Sequence, residues 1–493
     1  MSVWIATISV FDAANAPATL RFSDGAYTDA SWNYYEPRMH QPAIVKVSPD
    51  DGGTFNIFST PAFGEIDLEN IDGGLNHLAD YALDGGLCVL SLVDDAGAVV
   101  NYLTAVISTM HERDSHVYLT LNNLNEVLGK PHPFDKYAGT NVLPNGVEGV
   151  AGDIKGNIKP KVFGTVTNAA PVAVNTSLEI YQFSSRATCT VNMVYDMGLA
   201  LTLGTTFPIA NLAAFQTTIP TAGTFNRCAG YVRLGTTAVG TLTGDAVDGS
   251  TFGAGDVFAA VLGEVTRISV SFDATSKATL NSVGDIGVYV SAEDSTASIL
   301  NKIIVGIAGY WYFKASVVYA NLTTLATSAA LEFNDYEIEA TERTATGIGS
   351  NGLPISTVKI KYNKIETVQD PTSLAGAVTA ARQAILSNEF RTVTSSDSAA
   401  LTRHPMSETI NIESNLLTEA AAQAVADRLI LKFKSRCDIV SIAANVTTIP
   451  NLTLGIGVNI ITPKLGYGEG KILTLVGYEI DAKLKRVTME LIG

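Results

Sequence analysis

Near the C-terminus hydrophobic positions recur every four residues. Leu417, Ala421, Val425, Leu429 and Phe433 form one apolar stripe, the spacing of a single helix face. Thr418 stands where an N-cap side chain accepts from the first turn. Glu419 comes early and Lys432 and Lys434 late, the order of charge that the helix macrodipole favours. The pattern predicts a helix over 418–434. Beyond Ser435 the period shortens. Ile439–Ile442 is β-branched, Leu452–Ile460 alternates through two glycines, and Lys471–Ile480 and Arg486–Leu491 flank a turn at 481–485. These segments predict one helix packed on a small antiparallel β-structure.

The same reading extends over the rest of the chain. Residues 1–128 alternate in short runs, at 18–22, 42–47, 64–69, 87–92, 102–108 and 117–121. Turn clusters such as Ser23-Asp24-Gly25, Asn70-Ile71-Asp72-Gly73 and Asp84-Gly85-Gly86 separate them. Leu75–Tyr81 is a short amphipathic piece. Antiparallel strands with short turns predict a barrel or sandwich. Residues 129–184 carry Pro131, Pro133, Pro144, Pro160 and Pro171 among glycines, which forbids long regular elements. Val162-Phe163 and Leu178–Phe183 are too apolar for a free tether, so an ordered connection is expected. In 185–330 a Thr/Gly-rich part precedes two predicted helices. The first has Val257, Val261 and Val265 four apart. The second is capped by Ser295 or Asp294 and striped by Ile299, Ile303 and Ile307. Tyr310–Phe313 starts a strand, where aromatics belong to the core. In 331–493 a strand at Ile355–Tyr362 and a helix at Ser373–Leu386 precede the C-terminal elements. The expected fold class is mainly β (α+β): several barrel or sandwich domains with a few short packing helices, divided as 1–128, 129–184, 185–330 and 331–493.

Composition supports a chain with large cores, because 46% of its 493 residues are hydrophobic and 16% charged. The net charge of −16 excludes an extended nucleic-acid-binding surface, which needs clustered Lys and Arg. It fits a wall past which a polyanion slides, although an acidic surface that aids solubility accounts for most of it. Cys88, Cys189, Cys228 and Cys437 are far apart with no CxxC pair, so neither a disulfide framework nor a zinc site is expected. No apolar run reaches the ~20 residues that span a bilayer. The first eleven residues lack the basic start of a signal peptide and read as a strand.

Candidate chemistry is sparse. Gly347-Ile-Gly349-Ser-Asn-Gly352 matches a dinucleotide string, but Leu353-Pro354 and a strand follow instead of a helix. Gly466–Lys471 has Ile472 where a P-loop needs Ser or Thr. His111 and His116 belong to no metal motif, and six scattered histidines give a triad little to build on. The acidic turn Glu69–Asp72 fails the EF-hand pattern and suits turn chemistry. Asp50 and Asp51 are a carboxylate pair tied to no cleft. No catalytic, cofactor-binding or metal-binding residue is assigned, and no cofactor is expected.

Separated phrases carry a family resemblance. They are GEIDLENIDGGLNHLADYALDGGLCVLSL in the first part, GNIKPKVFG followed by LEIYQF, GYVRLGTTAVGTLTGD at 230–245, and the C-terminal LGIGVNIITP with GKILTLV. In this order they resemble the baseplate or tail-tip hub proteins of long-tailed bacteriophages and related gene transfer agents, relatives of the central hub of contractile-tail baseplates. Gly86 stands where that family usually has Arg, and Ile456 where it usually has Asp. The resemblance implies a structural, non-enzymatic virion protein, assembled in the host cytoplasm and placed at the tail tip. It implies a homotrimer whose subunits each give two tube-like β domains, at 1–128 and 331–493. It further implies contacts with a distal tail or tail-tube protein, the tape-measure protein and fibre or receptor-binding proteins, around a channel through which the genome passes without specific binding. Two alternatives are a tail-borne cell-wall or polysaccharide hydrolase using a carboxylate pair, and a receptor- or glycan-binding tip using Trp32, Tyr34 and Tyr35.

Overall fold

Alternation in the first hundred residues becomes one sheet. The computed structural model describes residues 2–49, 64–140, 147–266, 270–314, 316–346, 354–446, 450, 452–481 and 483–493. The Asp50-Asp51 pair, Pro144 and the Gly347–Gly352 string lie outside these residues. Val3–Phe11 buries Trp4, Ala6, Ile8 and Val10 while Ser9 and Phe11 face outward, the two-residue period of a half-buried strand. It pairs antiparallel with Pro17–Ser23 and Ala82–Val93, Ile8 standing opposite Leu20 and Cys88. Val99–Arg113, His116–Asn122, Glu65–Glu69 and Met39–Gln41 complete a seven-stranded sheet. Gly86 lies inside the third of these strands. A Cβ there would sit 2.8 Å from both the Leu83 carbonyl oxygen and Val10 Cγ1, so this backbone has no room for an arginine.

A second sheet comes from the other end of the chain. Its order is Leu331–Asn334, Gly457–Thr462, Tyr467–Asp481, Arg486–Ile492, Cys437–Asn445 and Ile338–Thr346. Val45–Val47 joins it, with Val45 opposite Ile480. The 42–47 segment, expected among the N-terminal strands, therefore crosses to the C-terminal sheet. The two sheets bury one common core, in which Ile8, Leu90 and Leu119 share a cluster with Val458, Leu475 and Met489. The described chain is 46% strand and 19% helix, so the mainly β expectation holds.

Two C-terminal expectations need correction. Strand pairing begins at Gly457, not Leu452; Leu452 and Leu454 are buried in an irregular segment, where Gly455 at φ +89° interrupts extension. The helix Glu419–Phe433, capped by Thr418 as predicted, packs mainly on Ile355–Tyr362 and Arg391–Ser396 instead of the terminal hairpin. Its buried face is also wider than the four-residue stripe. Ala422, Ala426 and Ile430 join Val425, Leu429 and Phe433 because a helix lying on a sheet covers more than one row. Burial lowers the Lys432 ammonium to about 8, with Arg428 beside it adding to the effect. A depressed lysine costs stability below its folded value, and the cost fades as pH rises towards the unfolded value near 10.4. Lys432→Met is expected to add up to about 1 kcal/mol at pH 7, and the gain over wild type should shrink between pH 8 and 10 in thermal melts.

The middle of the chain forms a smaller β unit with its own core. Leu199–Ala200, Cys189–Asp196, Leu242–Asp248, Lys161–Ala169 and Gly287–Val290 form one sheet. Val172–Asn175, Ile180–Gln182, Tyr231–Leu234, Thr224–Cys228 and Thr202–Phe207 form the other. Val162, Val166, Phe183, Val191, Phe225 and Val232 fill the space between them. Three of these strands lie within 129–184, the stretch read as a connection; prolines flank them without interrupting the ladders. The two helices predicted from their stripes appear as Ala254–Leu262 and Thr296–Gly306, the latter capped by Ser295. Ala274–Asn281 escaped prediction, since Leu280 is its sole large buried side chain and it has no stripe. The helix expected over Ser373–Leu386 is shortened to Ala380–Leu386 behind a 3-10 turn at Pro371–Ser373. Proline sets that turn, and Thr379 caps the helix that follows.

Candidate functional site

Charged groups converge where the small β unit meets the helices. His132 is buried, its Nδ1 3.1 Å from Thr296 Oγ1 and its Nε2 3.0 Å from Glu264 Oε2. Lys161 and Arg186 also donate to Glu264. Lys161 Nζ reaches the Pro133 carbonyl at 2.6 Å, and Arg186 Nε donates to Asp248 at 2.7 Å. Burial pushes the Glu264 carboxyl up, but His132, Lys161 and Arg186 together hold it below the usual range. Arg186 lies over the Phe163 ring at 4.7 Å. With every charge matched and ring faces closing the cluster, the arrangement is a clamp. It ties His132, the strand Lys161–Ala169 and the loop at Arg186 to one carboxylate that follows the helix Ala254–Leu262.

A second cluster stands at the surface. Arg38 makes a bidentate pair with Asp72, both contacts 2.7 Å, and donates to Glu36 at 2.8 Å. The guanidinium holds the Asp72 carboxyl far below its usual range. A cation of the chain thus occupies the place that a calcium reading would give to a metal. Turn chemistry accounts for the rest: Asp72 Oδ1 accepts from the Gly74 amide at 3.0 Å, and Gly73 takes φ +70°. Beside this clamp is a groove of about 500 Å³ that includes Tyr34 and Ile71. Trp32, 88% exposed, tips a neighbouring turn in which Asp29 accepts from the Ser31 and Asn33 amides at 2.8 and 2.9 Å. Of the three aromatics considered for sugar contact, Trp32 and Tyr34 are exposed. Tyr35 is buried with its hydroxyl 3.0 Å from Thr7 Oγ1.

The histidines that looked scattered in sequence are partly gathered by the first sheet. His116 Nδ1 is 2.5 Å from Asp67 Oδ1, His40 Nδ1 3.5 Å from Glu69 and His111 Nδ1 3.9 Å from Glu65. The His40 and His116 rings meet edge to face at 5.5 Å, and His111 stacks on Tyr118 at 5.0 Å. Sequence periodicity misses this row because its members lie on separate strands. The signal was present as the alternation of Glu65, Asp67 and Glu69. Among the described residues no group of three or more His, Cys, Asp or Glu is placed to hold a metal ion.

A larger groove of about 640 Å³ lies between the helix Thr296–Gly306 and the segment 364–366. Its carboxylates are engaged: Glu366 with Lys364 at 2.7 Å, Glu413 with Lys361 at 2.8 Å. Tyr310–Phe313 is a strand whose Trp311, Tyr312 and Phe313 are buried, and Lys471 belongs to a strand instead of a phosphate loop. The four cysteines are free and buried, and burial pushes the Cys88 and Cys189 thiols up to about 12. No described helix is long and apolar enough to cross a membrane.

No protein-family model matches the sequence, and no curated protein matches it either. Among solved structures it is similar to a tail protein from Neisseria meningitidis MC58, with a TM-score of 0.43 and 8% identity over 99% of this chain and 96% of that one. It is similar to the 43 kDa tail protein of prophage MuSo2 from Shewanella oneidensis, with a TM-score of 0.40 and 10% identity over 99% and 98%. A third is prophage tail protein gp18 from Listeria monocytogenes EGD-e, with a TM-score of 0.41 and 7% identity over 99% and 94%. By their descriptions these three solved structures are tail proteins, two of them from prophages.

Proposed function

We propose that this chain is a structural hub of a bacteriophage tail tip or baseplate. Three copies surround the tail axis, joining the tail tube to fibre or receptor-binding proteins and lining the channel taken by the tape-measure protein and the genome. The observation that carries this reading is the pairing of the two chain ends into two large sheets around one core. A subunit of that shape offers two β bodies to a ring, so three subunits offer six. The matched charges support a structural role: among the described residues, the carboxylates lining these two grooves face Arg38, Lys361, Lys364 or His40, so neither groove offers a hydrolase a free carboxylate pair. Mass measurement of the purified chain, with imaging of labelled particles, tests the hub; a mass of one chain together with label away from the tail tip overturns it.

The channel itself makes a prediction. Asp72 is neutralised by Arg38, so the acidity of the 65–72 region rests on Glu65, Asp67 and Glu69. If these face the channel, Glu65→Lys with Glu69→Lys leaves assembly intact and slows DNA ejection, because passing phosphates meet attractive contacts. The effect should be clearest at low salt, where the screening length exceeds ~10 Å. An unchanged ejection rate there removes this surface from the channel wall. The exposure of Trp32 and Tyr34 favours a second reading, a receptor or glycan contact at the tip, for which loss of glycan binding in Trp32→Ala is the check.

A further inference from the structure

The longest charge-free run in the chain, Met197–Asn226, lies largely on the surface. It contains the strand Thr202–Phe207, which ends its sheet and pairs on one side only, with Thr224–Cys228. Residues 202–206 are all exposed. Leu199, Leu203, Ile209 and Ile219 are exposed by 45, 39, 47 and 70%, and Met193 on the preceding strand by 36%. Edge strands that face water are commonly guarded by lysine, proline or an inward charge. This one has none within it; a bulge between Leu203 and Thr206 is its single irregularity, filled by Asn226, which accepts from the Thr205 amide at 2.8 Å.

Charged groups bordering the run are engaged in hydrogen bonds, two of them with atoms of the run itself. Asp196 accepts from the Val239 and Gly240 amides at 2.7 and 2.9 Å. Arg227 donates to Thr206 Oγ1 at 3.0 Å and to the Val191 carbonyl at 2.8 Å. Arg382 lies over the Tyr195 ring at 3.8 Å and donates to the Gly198 carbonyl at 3.1 Å. The exposed large side chains of the run are all apolar, and most of its other exposed positions are threonine or alanine.

We propose that this face is where a second copy of the chain docks. The argument is electrostatic. Each copy carries −16, and two such molecules repel wherever acids oppose acids across less than a screening length of ~8 Å. They meet without that repulsion through a surface that carries no acid. A basic partner finds no carboxylate here to pair with, and a nucleic acid finds no free cation. Depletion of charge with retained apolar side chains is also the composition of an interface centre. The proposal deepens the hub reading by assigning the contact between copies to named residues, and it rests on that reading for the number of copies.

The test uses the full chain in sedimentation equilibrium or light scattering. Wild type is expected at a multiple of 52.0 kDa. Leu203→Glu with Ile209→Glu should weaken association at least tenfold and return the mass to one chain, with an unchanged circular dichroism melt. Leu401→Glu with Met406→Glu, which charges two exposed positions elsewhere, should keep the wild-type mass. If the paired face variant does not fold, Ile219→Arg, in a loop and highly exposed, asks the same question with the opposite charge. A wild type that stays a single chain overturns both the docking face and the hub. An associating wild type whose folded face variants keep its mass overturns the face and leaves the hub standing.

Discussion

Val425→Asp is expected to leave the chain without a cooperative fold. Val425 is fully buried on the helix Glu419–Phe433, in the cluster that holds Val358, Ile360 and Ile412 of the sheet beneath it. The same cluster includes Phe258, Ile303 and Trp311, so a charge introduced there is felt by several elements at once. An aspartate in this setting loses the transfer energy of the valine and buries a carboxylate with no designed partner. That costs several kcal/mol, a large fraction of the roughly 5–15 kcal/mol by which folded domains are stable. Soluble yield and a circular dichroism melt are the measurements. Leu431→Asp on the same helix is the control, because Leu431 is 70% exposed and surface exchanges usually stay within about 0.5 kcal/mol. Equal yields and equal melts for the two variants would show that the buried face has been misidentified.

Glu264→Ala is expected to cost about 3–5 kcal/mol, the range for removing one partner of a buried ion pair. His132, Lys161 and Arg186 all direct a nitrogen at this carboxylate. Arg186 keeps Asp248, whereas Lys161 keeps a carbonyl contact and the Phe134 ring at 5.6 Å but no carboxylate among the described contacts, and most of the loss falls on it. Glu264→Gln preserves the shape and is expected to lose less. Acid gives an independent check. The folded carboxyl lies below the usual range, so its contribution is complete above the unfolded value near 4.5 and fades as pH falls through the folded one. Wild type and Glu264→Ala should therefore differ most near neutral pH and converge in acid, as read in denaturant titrations. A constant difference down to pH 2 would mean that the variant acts by removing volume.

Several features were legible in the sequence because they depend on neighbours a few residues away. Thr418 and Ser295 are caps, and a cap needs nothing beyond the first turn it serves. The stripes of Val257 and Val261, and of Ile299 and Ile303, are buried as their period requires. The mainly β character follows from repeated two-residue alternation, and the Asn70–Gly74 turn from its own side chains. Leucine at 431 shows the limit. It is as apolar as Leu429, yet it faces water, because a period identifies a face without saying how wide the opposing surface is.

Pairing was decided by the tertiary structure. Val45–Val47 has the alternation of an N-terminal strand, but its hydrogen bonds go to Tyr478–Ile480, far away in sequence. Lys161–Ala169 sits among prolines and becomes an inner strand of its sheet. Arg38 neutralises Asp72, and His40, His111 and His116 align opposite alternate carboxylates, through contacts that cross between strands. The sequence by itself determined the caps, turns, stripes and strand period of this chain, since these are local balances of sterics, hydrogen bonding and burial. Only the tertiary structure decided which strands pair, which charges cancel and which uncharged surface stays exposed, because each depends on the groups that long-range packing places across from it.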